Sequence, residues 1–223
     1  GSSGGHISLL ASGALNQAAN GDIATTGTGT IDVQAAGIVM ADGATTLTGS
    51  GNIRYAATGA IELGMLGTSG HISLLGTAIS DANGDSLNLS ADQLKISASG
   101  FGSGANSIET TLASLSADIG AGGLYLSETD ALSVGDTAAI TVNRVKSDGT
   151  VTGSSQSDAS QSGLTSGENL VLISGGTTTV DSAISATGNL LLDVSGDLNA
   201  NAAIGSSGGH ISLLASGTLN QAA

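Results

Sequence analysis

Short alternations of apolar and polar residues recur along the whole chain. Segments such as Ile7–Leu9, Ile31–Val33, Ile53–Tyr55 and Ile72–Leu74 carry an apolar side chain at every second position, with Gly, Asn, Asp, Ser and Thr between the segments. A period of two is typical of β-strands that bury one face. These four segments begin 24, 22 and 19 residues apart. The pattern therefore predicts short strands at a nearly constant interval.

Strands that recur at this interval, without helical segments between them, predict a stack of coils. A β-sandwich would show frequent hairpin signals, whereas Asn20-Gly21 and Asn83-Gly84 are the two Asn-Gly pairs of the chain. We therefore predict an all-β fold, a parallel β-helix (β-solenoid) with about 20 residues per coil and with Gly and small polar residues at the corners.

The alternation also predicts which side chains face the interior of the solenoid. The side chains expected inside are Ile72, Leu74, Leu190, Leu192 and Val194. Those expected outside are Ser73, Leu191 and Asp193. An unpaired charge in a dry interior costs several kcal/mol, of order 3–5. A carboxylate at position 72 is thus predicted to prevent folding, and one at position 73 to be tolerated.

Residues 106–120 carry a second, competing pattern. Four apolar residues stand at i, i+4, i+7 and i+11, which is helical spacing: Ile108, Leu112, Leu115 and Ile119. Thr110 and Thr111 oppose a helix, and strand alternation resumes at Leu124. We predict a continued β-coil here, with a helix as the alternative.

One long stretch offers almost nothing to bury. Residues 146–168 are rich in Ser and Gly, and Val151 and Leu164 are their only large apolar residues. We predict that residues 146–163 form one polar loop excursion outside the coil, and that a strand at Ile140–Val142 precedes it. Because loop length affects stability only logarithmically, shortening this loop is predicted to change stability little.

The chain also repeats itself at long range. Residues 205–223 match residues 1–19 except that Thr218 stands in place of Ala14, at an offset of 204 residues. Residues 1–204 are therefore predicted to be one tandem repeat unit, which we call one copy, and 205–223 to begin the next copy without a linker. At about 20 residues per coil, one copy would contain roughly ten coils and advance the axis by about 45–50 Å.

Composition narrows the possible functions. The chain has 36 Gly, no Cys, one Phe and two Tyr, and 4 basic against 18 acidic residues give a net charge of −14. Nucleic-acid binding needs a basic surface, so we expect no nucleic-acid partner. No run of about 18 apolar residues is present, so we also expect no membrane insertion.

The candidate metal ligands are few. Asp81, Asn83 and Asp85 imitate the first half of a calcium loop, with Asp92 at the twelfth position, but Ser86 occupies the place of the turn glycine. A solvated turn and a calcium site both remain open. His6, His71 and His210 each begin a His-Ile-Ser-Leu-Leu strand, and their separation in sequence predicts surface histidines several coils apart. No metal, cofactor or catalytic residue is predicted.

Enzymatic and ice-binding alternatives have weaker support. The carboxylate pairs Asp193/Asp197 and Asp81/Asp85 are candidates in a carbohydrate-cleaving β-helix, but an aromatic platform for a sugar is missing. Ice binding would require a regular rank of Thr-x-Thr pairs, and the candidate pairs are irregularly spaced: Thr28/Thr30, Thr46/Thr48, Thr150/Thr152 and Thr177/Thr179. We therefore expect no enzymatic activity.

Two stretches resemble a known family. Residues 97–135 contain Ile108-x-Thr110 and Gly122-Gly123-Leu124-x-Leu126, and residues 164–223 contain Gly188-Asn189-Leu190-Leu191-Leu192 and the segment Gly208-Gly-His-Ile-Ser-Leu-Leu. The order and spacing of these motifs resemble those of large bacterial exoproteins of the filamentous-haemagglutinin type. The resemblance implies a right-handed β-helix, export, and a role in adhesion or biofilms.

The sequence thus predicts a structural extracellular fibre or adhesin shaft at the surface of a bacterium. Its expected partners are other copies of the same protein stacked head to tail, together with lateral self-association or a host or neighbouring surface. A carbohydrate-binding or carbohydrate-cleaving β-helix is the main alternative.

Overall fold

The computed structural model describes residues 1–222, and within this range every regular element is a β-strand. Of the 27 strands, 23 belong to one sheet that winds around the molecule as a β-solenoid of about ten turns. The strands are β1 (Ile7–Leu10), β2 (Ala14–Gln17), β3 (Ile23–Ala24), β4 (Ile31–Ala35), β5 (Gly37–Met40), β6 (Thr45–Leu47), β7 (Ile53–Ala57), β8 (Ile61–Leu63), β9 (Met65–Gly67), β10 (His71–Asp81), β11 (Leu89–Phe101), β12 (Ile108–Ile119), β13 (Leu124–Glu128), β14 (Leu132–Val134), β15 (Asp136–Thr137), β16 (Ile140–Asn143), β17 (Ser155–Asp158), β18 (Gln161–Ser162), β19 (Leu164–Ser166), β20 (Leu170–Ser174), β21 (Thr178–Val180), β22 (Ile184–Ala186), β23 (Leu190–Val194), β24 (Leu198–Ala200), β25 (Ile204–Ser206), β26 (Ile211–Ala215) and β27 (Leu219–Gln221).

The coils stack in parallel register along what we call the first ladder. It begins with β1, β4 and β7, continues through β10, β11 and β12, and then follows β14, β21, β24 and β27. One residue from each rung forms a continuous column: Ile7, Ile31, Ile53, Ile72, Leu94, Leu115, Val134, Val180, Ala200 and Gln221. Neighbouring rungs of such a ladder lie about 4.8 Å apart.

The cross-section rearranges at β12 and β13. Up to that level, a second ladder runs through β2, β5 and β8, and a third through β3, β6 and β9. The second ladder continues through the ends of β10 and β11 to Phe101, and the third continues through β11 to residues 108–110 of β12. β13 pairs with Phe101 and with 108–110, so it joins both ladders. The later part of β12 pairs with β14, which continues the first ladder, and with β19. The ladder that then contains β20, β23 and β26 therefore continues from β13.

The alternation predicts the core correctly. The five side chains expected inside are at most 1% exposed, and Leu191 and Asp193 on the outer face are partly exposed. The interior is lined mainly by Ile, Leu, Val and Ala, with Tyr55 and Phe101 as its fully buried aromatic residues. Tyr55 Oη shares a 2.7 Å hydrogen bond with Thr46 Oγ1, and burial raises the pKa of this phenol.

The prediction of a β-coil over residues 106–120 is confirmed by β12. Its buried positions alternate through Ile108, Thr110 and Leu112, and the alternation then restarts at Leu115. A corner at 113–114 adds the extra residue that changes the phase. The apparent helical spacing is thus two short β patterns joined by a bend.

Glycine occupies corners where one coil lies directly on the next. A Cβ atom at Gly51 would lie 1.8 Å from the carbonyl oxygen of Gly29, and one at Gly70 would lie 2.6 Å from that of Ser50. No side chain fits at such a backbone-to-backbone approach.

The predicted excursion outside the coil is confirmed, but it is longer than predicted and is a hairpin rather than a loop. It comprises residues 136–162, inserted between β14 and β19, and forms an antiparallel hairpin in which β15 pairs with β18 and β16 with β17. It therefore begins ten residues before the predicted start at 146. Ile140 and Val142 belong to this hairpin, and their side chains are 0% exposed. Ile140–Val142 is thus a strand, as predicted, but it belongs to the hairpin and not to a coil, because this short apolar pair packs against the outside of the solenoid.

No helix in residues 1–222 is long and apolar enough to cross a membrane.

Candidate functional site

The hairpin, residues 136–162, lies along the outer face of the first ladder. Beneath it is a column of polar side chains that we call the covered strip, one from each of the first six rungs: Ser8, Asp32, Arg54, Ser73, Lys95 and Ser116. Asp32, Ser73 and Ser116 are 0% exposed and Lys95 is 8% exposed, although all six alternate to the outside.

A buried ion network joins the hairpin to the strip. Asp32 accepts hydrogen bonds from Arg54 Nη1 at 3.2 Å and from Arg144 Nε of the hairpin. Arg54 Nε donates to Asp158 Oδ2 at 2.9 Å, and Ser73 Oγ donates to the same oxygen at 2.6 Å. The four charged side chains are 0–20% exposed. Two aspartates and two arginines thus neutralise each other away from solvent.

Further hydrogen bonds distribute the contact over several rungs. Lys95 Nζ donates to Ala159 O at 2.6 Å, and Asn52 Nδ2 donates to Thr141 O at 2.9 Å. At the two ends of the strip, Ser116 Oγ bonds Thr137 Oγ1 at 2.6 Å, and Val145 N donates to Ser8 Oγ at 3.0 Å. The hairpin therefore ties six successive rungs together from outside.

This arrangement corrects the prediction for Ser73. Its side chain does face outward, as expected, but it lies against the Asp158 carboxylate under the hairpin. A second carboxylate at this position would meet Asp158 in a poorly solvated contact, so Ser73→Asp is expected to be severe rather than mild. For the same reason, shortening residues 146–163 would remove Asp158 and is no longer expected to be neutral.

Sequence reasoning missed this interface, yet a signal existed. The middle position of successive apolar-polar-apolar triplets is occupied by Ser8, Asp32, Arg54, Ser73 and Lys95. Both cations that lie on coil strands of this cation-poor chain are therefore in one column. Arg144 in the polar stretch is a third. Together with β16 packed beside them, such a column indicates an opposing polar element.

The three histidines lie apart from one another. His6 and His71 occupy the same column three rungs apart, and His210 lies on the last coil. His6 Nδ1 accepts a hydrogen bond from Thr30 N at 3.0 Å, and His71 Nδ1 lies 3.6 Å from Asp92 Oδ2. The prediction that they do not share a site agrees with this placement, but His6 is in contact with the hairpin through Asn143.

The calcium-loop candidate forms a corner between β10 and β11. Asp81 Oδ1 accepts hydrogen bonds from Asn83 N and Asn88 Nδ2, both at 2.7 Å, and Asp85 is exposed. Asp92, which the calcium pattern would place in the same shell, lies instead beside His71. Across residues 1–222, no group of three or more His, Cys, Asp or Glu side chains is placed to hold a metal ion.

One inward carboxyl is strongly perturbed. Glu128 is 2% exposed, and burial raises its pKa to about 7. Its Oε1 accepts from Leu112 N and Thr129 N, both at 3.1 Å, and its Oε2 accepts from Thr110 Oγ1 at 2.7 Å. Thr110 and Leu112 belong to β12, whereas Thr129 directly follows β13. Glu128 therefore joins two successive coils at the level where the ladders rearrange.

The remaining candidates are not brought together. Asp197 Oδ1 accepts from Thr218 N at 2.7 Å and so fastens the next coil, while Asp193 faces outward. Among the candidate ice-binding threonines, Thr46 is buried in the interior and Thr150 lies in the hairpin turn. A wide open groove beside the third ladder is lined in part by Met65, Thr68 and Asp130, and no aromatic side chain lines it.

No protein-family model matches the chain, and no curated protein or solved structure is significantly similar to it.

Proposed function

We propose that this chain is part of a long structural shaft in which copies of the 204-residue unit continue one β-solenoid. The observation that carries the proposal is the placement of β26. Its sequence repeats that of β1, and it pairs with β23 in parallel register, from Leu190↔Ile211 to Val194↔Ala215. The start of a second copy is thus accommodated as an ordinary rung.

The joint between copies uses the same side-chain device as the coils within a copy. Asn189 Oδ1 accepts from His210 N at 2.9 Å, as Asn169 Oδ1 accepts from Asn189 N at 2.8 Å one coil earlier. Asn52 Oδ1 accepts from His71 N at 3.1 Å in the same way. A side-chain amide that caps the next rung favours continuation of the stack over a flexible linker.

The expected length of one copy is shorter than the sequence predicts. Eight register steps lead from Leu15 to Ile211, and nine lead from Ile7 to Gln221. Ile211 repeats Ile7, and Gln221 repeats Gln17. One copy therefore spans between eight and nine turns, or roughly 40 Å at the usual strand spacing. Residues 136–162 add no length because they lie outside the coil.

The wider role follows from the resemblance and from surface chemistry. The cadence of residues 164–223 resembles secreted bacterial adhesins, and a net charge of −14 suits a soluble, nucleic-acid-free surface fibre. We propose an extracellular or cell-surface location, adhesion or biofilm scaffolding as the role, and no enzymatic activity. The partners are further copies in line, with lateral self-association or a host or neighbouring surface as the external contact.

Rod length tests this proposal. Chains of one, two and three copies, each ending in residues 205–223, would be compared by electron microscopy. The shaft predicts unbranched rods that lengthen by roughly 40 Å with each added copy. Beads joined by flexible segments, or particles that do not lengthen, would refute it. Incubation with acidic and neutral polysaccharides should release no sugars, and measurable turnover would favour the carbohydrate-cleaving alternative.

A further inference from the structure

The first strand of the hairpin already contacts the first coil of its own copy before the chain reaches the hairpin turn. Ala138 N bonds Gln93 on β11, Asn143 N bonds Thr30 beside β4, and Val145 N bonds Ser8 on β1. Seven residues of hairpin thus pass four rungs, so this strand runs along the solenoid axis. The turn that follows, closed by Lys146 N to Thr150 O at 2.8 Å, therefore projects beyond the first rung.

The turn carries the one basic residue whose role the covered strip does not explain. Arg54, Lys95 and Arg144 all contact across the hairpin interface. Ile140, Val142 and Arg144 face the solenoid at every second position, and the next position in this series is Lys146. Lys146 is exposed in the single copy. If the alternation continues, its side chain would face the position of a rung before β1.

The preceding rung can be identified from the repeat. β26 repeats β1 and stacks on β23, with Ser212 paired to Leu191 and Leu214 to Asp193. The column beyond Ser8 is therefore Leu191 and then Val171 of the copy before it, and the adjacent column is Asp193 and then Ile173. We call these four residues the junction patch.

The junction patch has the properties of an uncovered contact surface. Ile173 is 41% exposed, and Val171 and Leu191 are partly exposed, on an outer face that carries polar side chains under the hairpin. All three have rungs on both sides along the axis, so their exposure does not result from the end of the stack. Asp193 supplies a carboxylate among them.

We propose that the junction patch is the docking site for the hairpin turn of the following copy, with Lys146 paired to Asp193 across the boundary. This inference rests on the proposed stacking of copies and adds a contact between them. The alkyl stem of Lys146 would cover Leu191, and its ammonium would meet the carboxylate. Each boundary would then be fastened both by the backbone ladder and by a strap from outside.

Carbodiimide cross-linking tests the contact directly, because it joins an ammonium and a carboxylate that touch into an amide. The test compares the chain of residues 1–223 with a two-copy chain, residues 1–204 followed by 1–223, using the monomeric fraction of each. Within one copy, Lys146 and Asp193 lie near opposite ends of the solenoid. Peptide mapping is expected to find the Lys146–Asp193 link in the two-copy chain and not in the single copy.

Two variants of the two-copy chain serve as controls. Lys146→Arg keeps the charge but cannot form the amide, and Asp193→Asn removes the carboxylate, so each should abolish the link. Glu62→Gln, which removes a carboxylate on the outer face of β8, should leave it unchanged. If the two-copy chain is a rod of doubled length and Lys146 remains unlinked to Asp193, the docking proposal is overturned and the shaft stands. If no rod forms, both fall.

Discussion

Gly51 shows how a single residue limits the spacing of the coils. Its Cα lies so close to the coil below that an added Cβ would be 1.8 Å from Gly29 O. The neighbour is backbone, which cannot move aside without breaking the ladder. The abundance of glycine in this chain is in part a requirement of such close stacking.

Gly51→Ala is therefore expected to lower the free energy of unfolding by about 3 kcal/mol or more, since the clash is between backbone groups. Gly13→Ala is the matched control, because a Cβ at Gly13 would have nothing within 4 Å. Chemical denaturation of both variants measures the difference. Equal stability of the two would show that the coils are not stacked as described.

Glu128 provides a pH-dependent contribution to stability. Burial raises its pKa in the folded protein from 4.5 to about 7. Between these values the folded state binds the proton more tightly than the unfolded state does, so the free energy of unfolding falls as pH rises. The contribution is fully present below pH 4.5 and is lost as pH rises through about 7.

The matched variant is Glu128→Gln, which keeps the shape and an acceptor for the same backbone N–H groups but does not titrate. The stability of the original protein relative to this variant should fall by up to about 3 kcal/mol between pH 4.5 and 8. Denaturant titrations at several pH values measure it. A difference that stays constant over this range, or that grows with pH, would contradict the assigned pKa.

At the residue scale, the alternation of apolar and polar residues predicts whether a side chain faces inward or outward. It does not predict what lies against an outward-facing side chain. It correctly places Ile72 and Leu74 inside and Ser73 outside. It does not reveal that Ser73 is covered, because the cover comes from Asp158, 85 residues later in the chain. The polar column indicates that something covers Ser73, but the residues around Ser73 do not identify Asp158 as the partner.

At the scale of elements, the hairpin acts as an external strap on six rungs. Asp158 is its central contact, since the side chain accepts from both Arg54 and Ser73. Removing one member of a buried ion network leaves the others uncompensated, which costs more than the network itself contributes.

Asp158→Ala is accordingly expected to lower the free energy of hairpin opening by about 3 kcal/mol. Native-state hydrogen exchange should show faster exchange at 140–143 and 155–158, while 170–194 stays protected. Ser155→Ala, an exposed position on the same strand, is the control and should have little effect. Unchanged exchange in the Asp158 variant would mean that the ion network does not hold the hairpin.

The elements differ in how far the sequence predicts them. β20, β23 and β26 follow from alternation and spacing, because each forms one side of a regular coil. β17 does not, since Ser155–Asp158 has no apolar side chain and is a strand only through its partner β16. The surface of the solenoid beneath the hairpin determines where its strands lie. The local sequence of the hairpin does not contain this information.

For the whole molecule, stability comes mainly from contacts between neighbouring rungs, and this is the property that the proposed stacking of copies requires. The two ends of such a stack expose strand edges and apolar interior residues. In the single copy, Ile211 and Leu219 of the last coil are 46% and 47% exposed. A following copy would cover them as β23 and β24 are covered.

The hairpins of successive copies would not lie on the same side of the shaft. The first ladder carries the hairpin in one copy, whereas β26, the first strand of the next copy, lies in the ladder that continues from β13. Successive hairpins would therefore emerge from different sides of the shaft. The sequence predicts the repeat itself but not this offset, which arises where β12 and β13 exchange ladders.

Hydrogen exchange at the boundary between copies is the most direct test of continuous stacking. In the single copy, amides of residues 211–221 lie on the last coil, with a rung on one side only. In the two-copy chain, we expect the corresponding amides of the boundary coil to become as protected as those of 190–194. If these amides exchange equally fast in both chains, the copies are joined by a flexible connection and the continuous shaft is refuted.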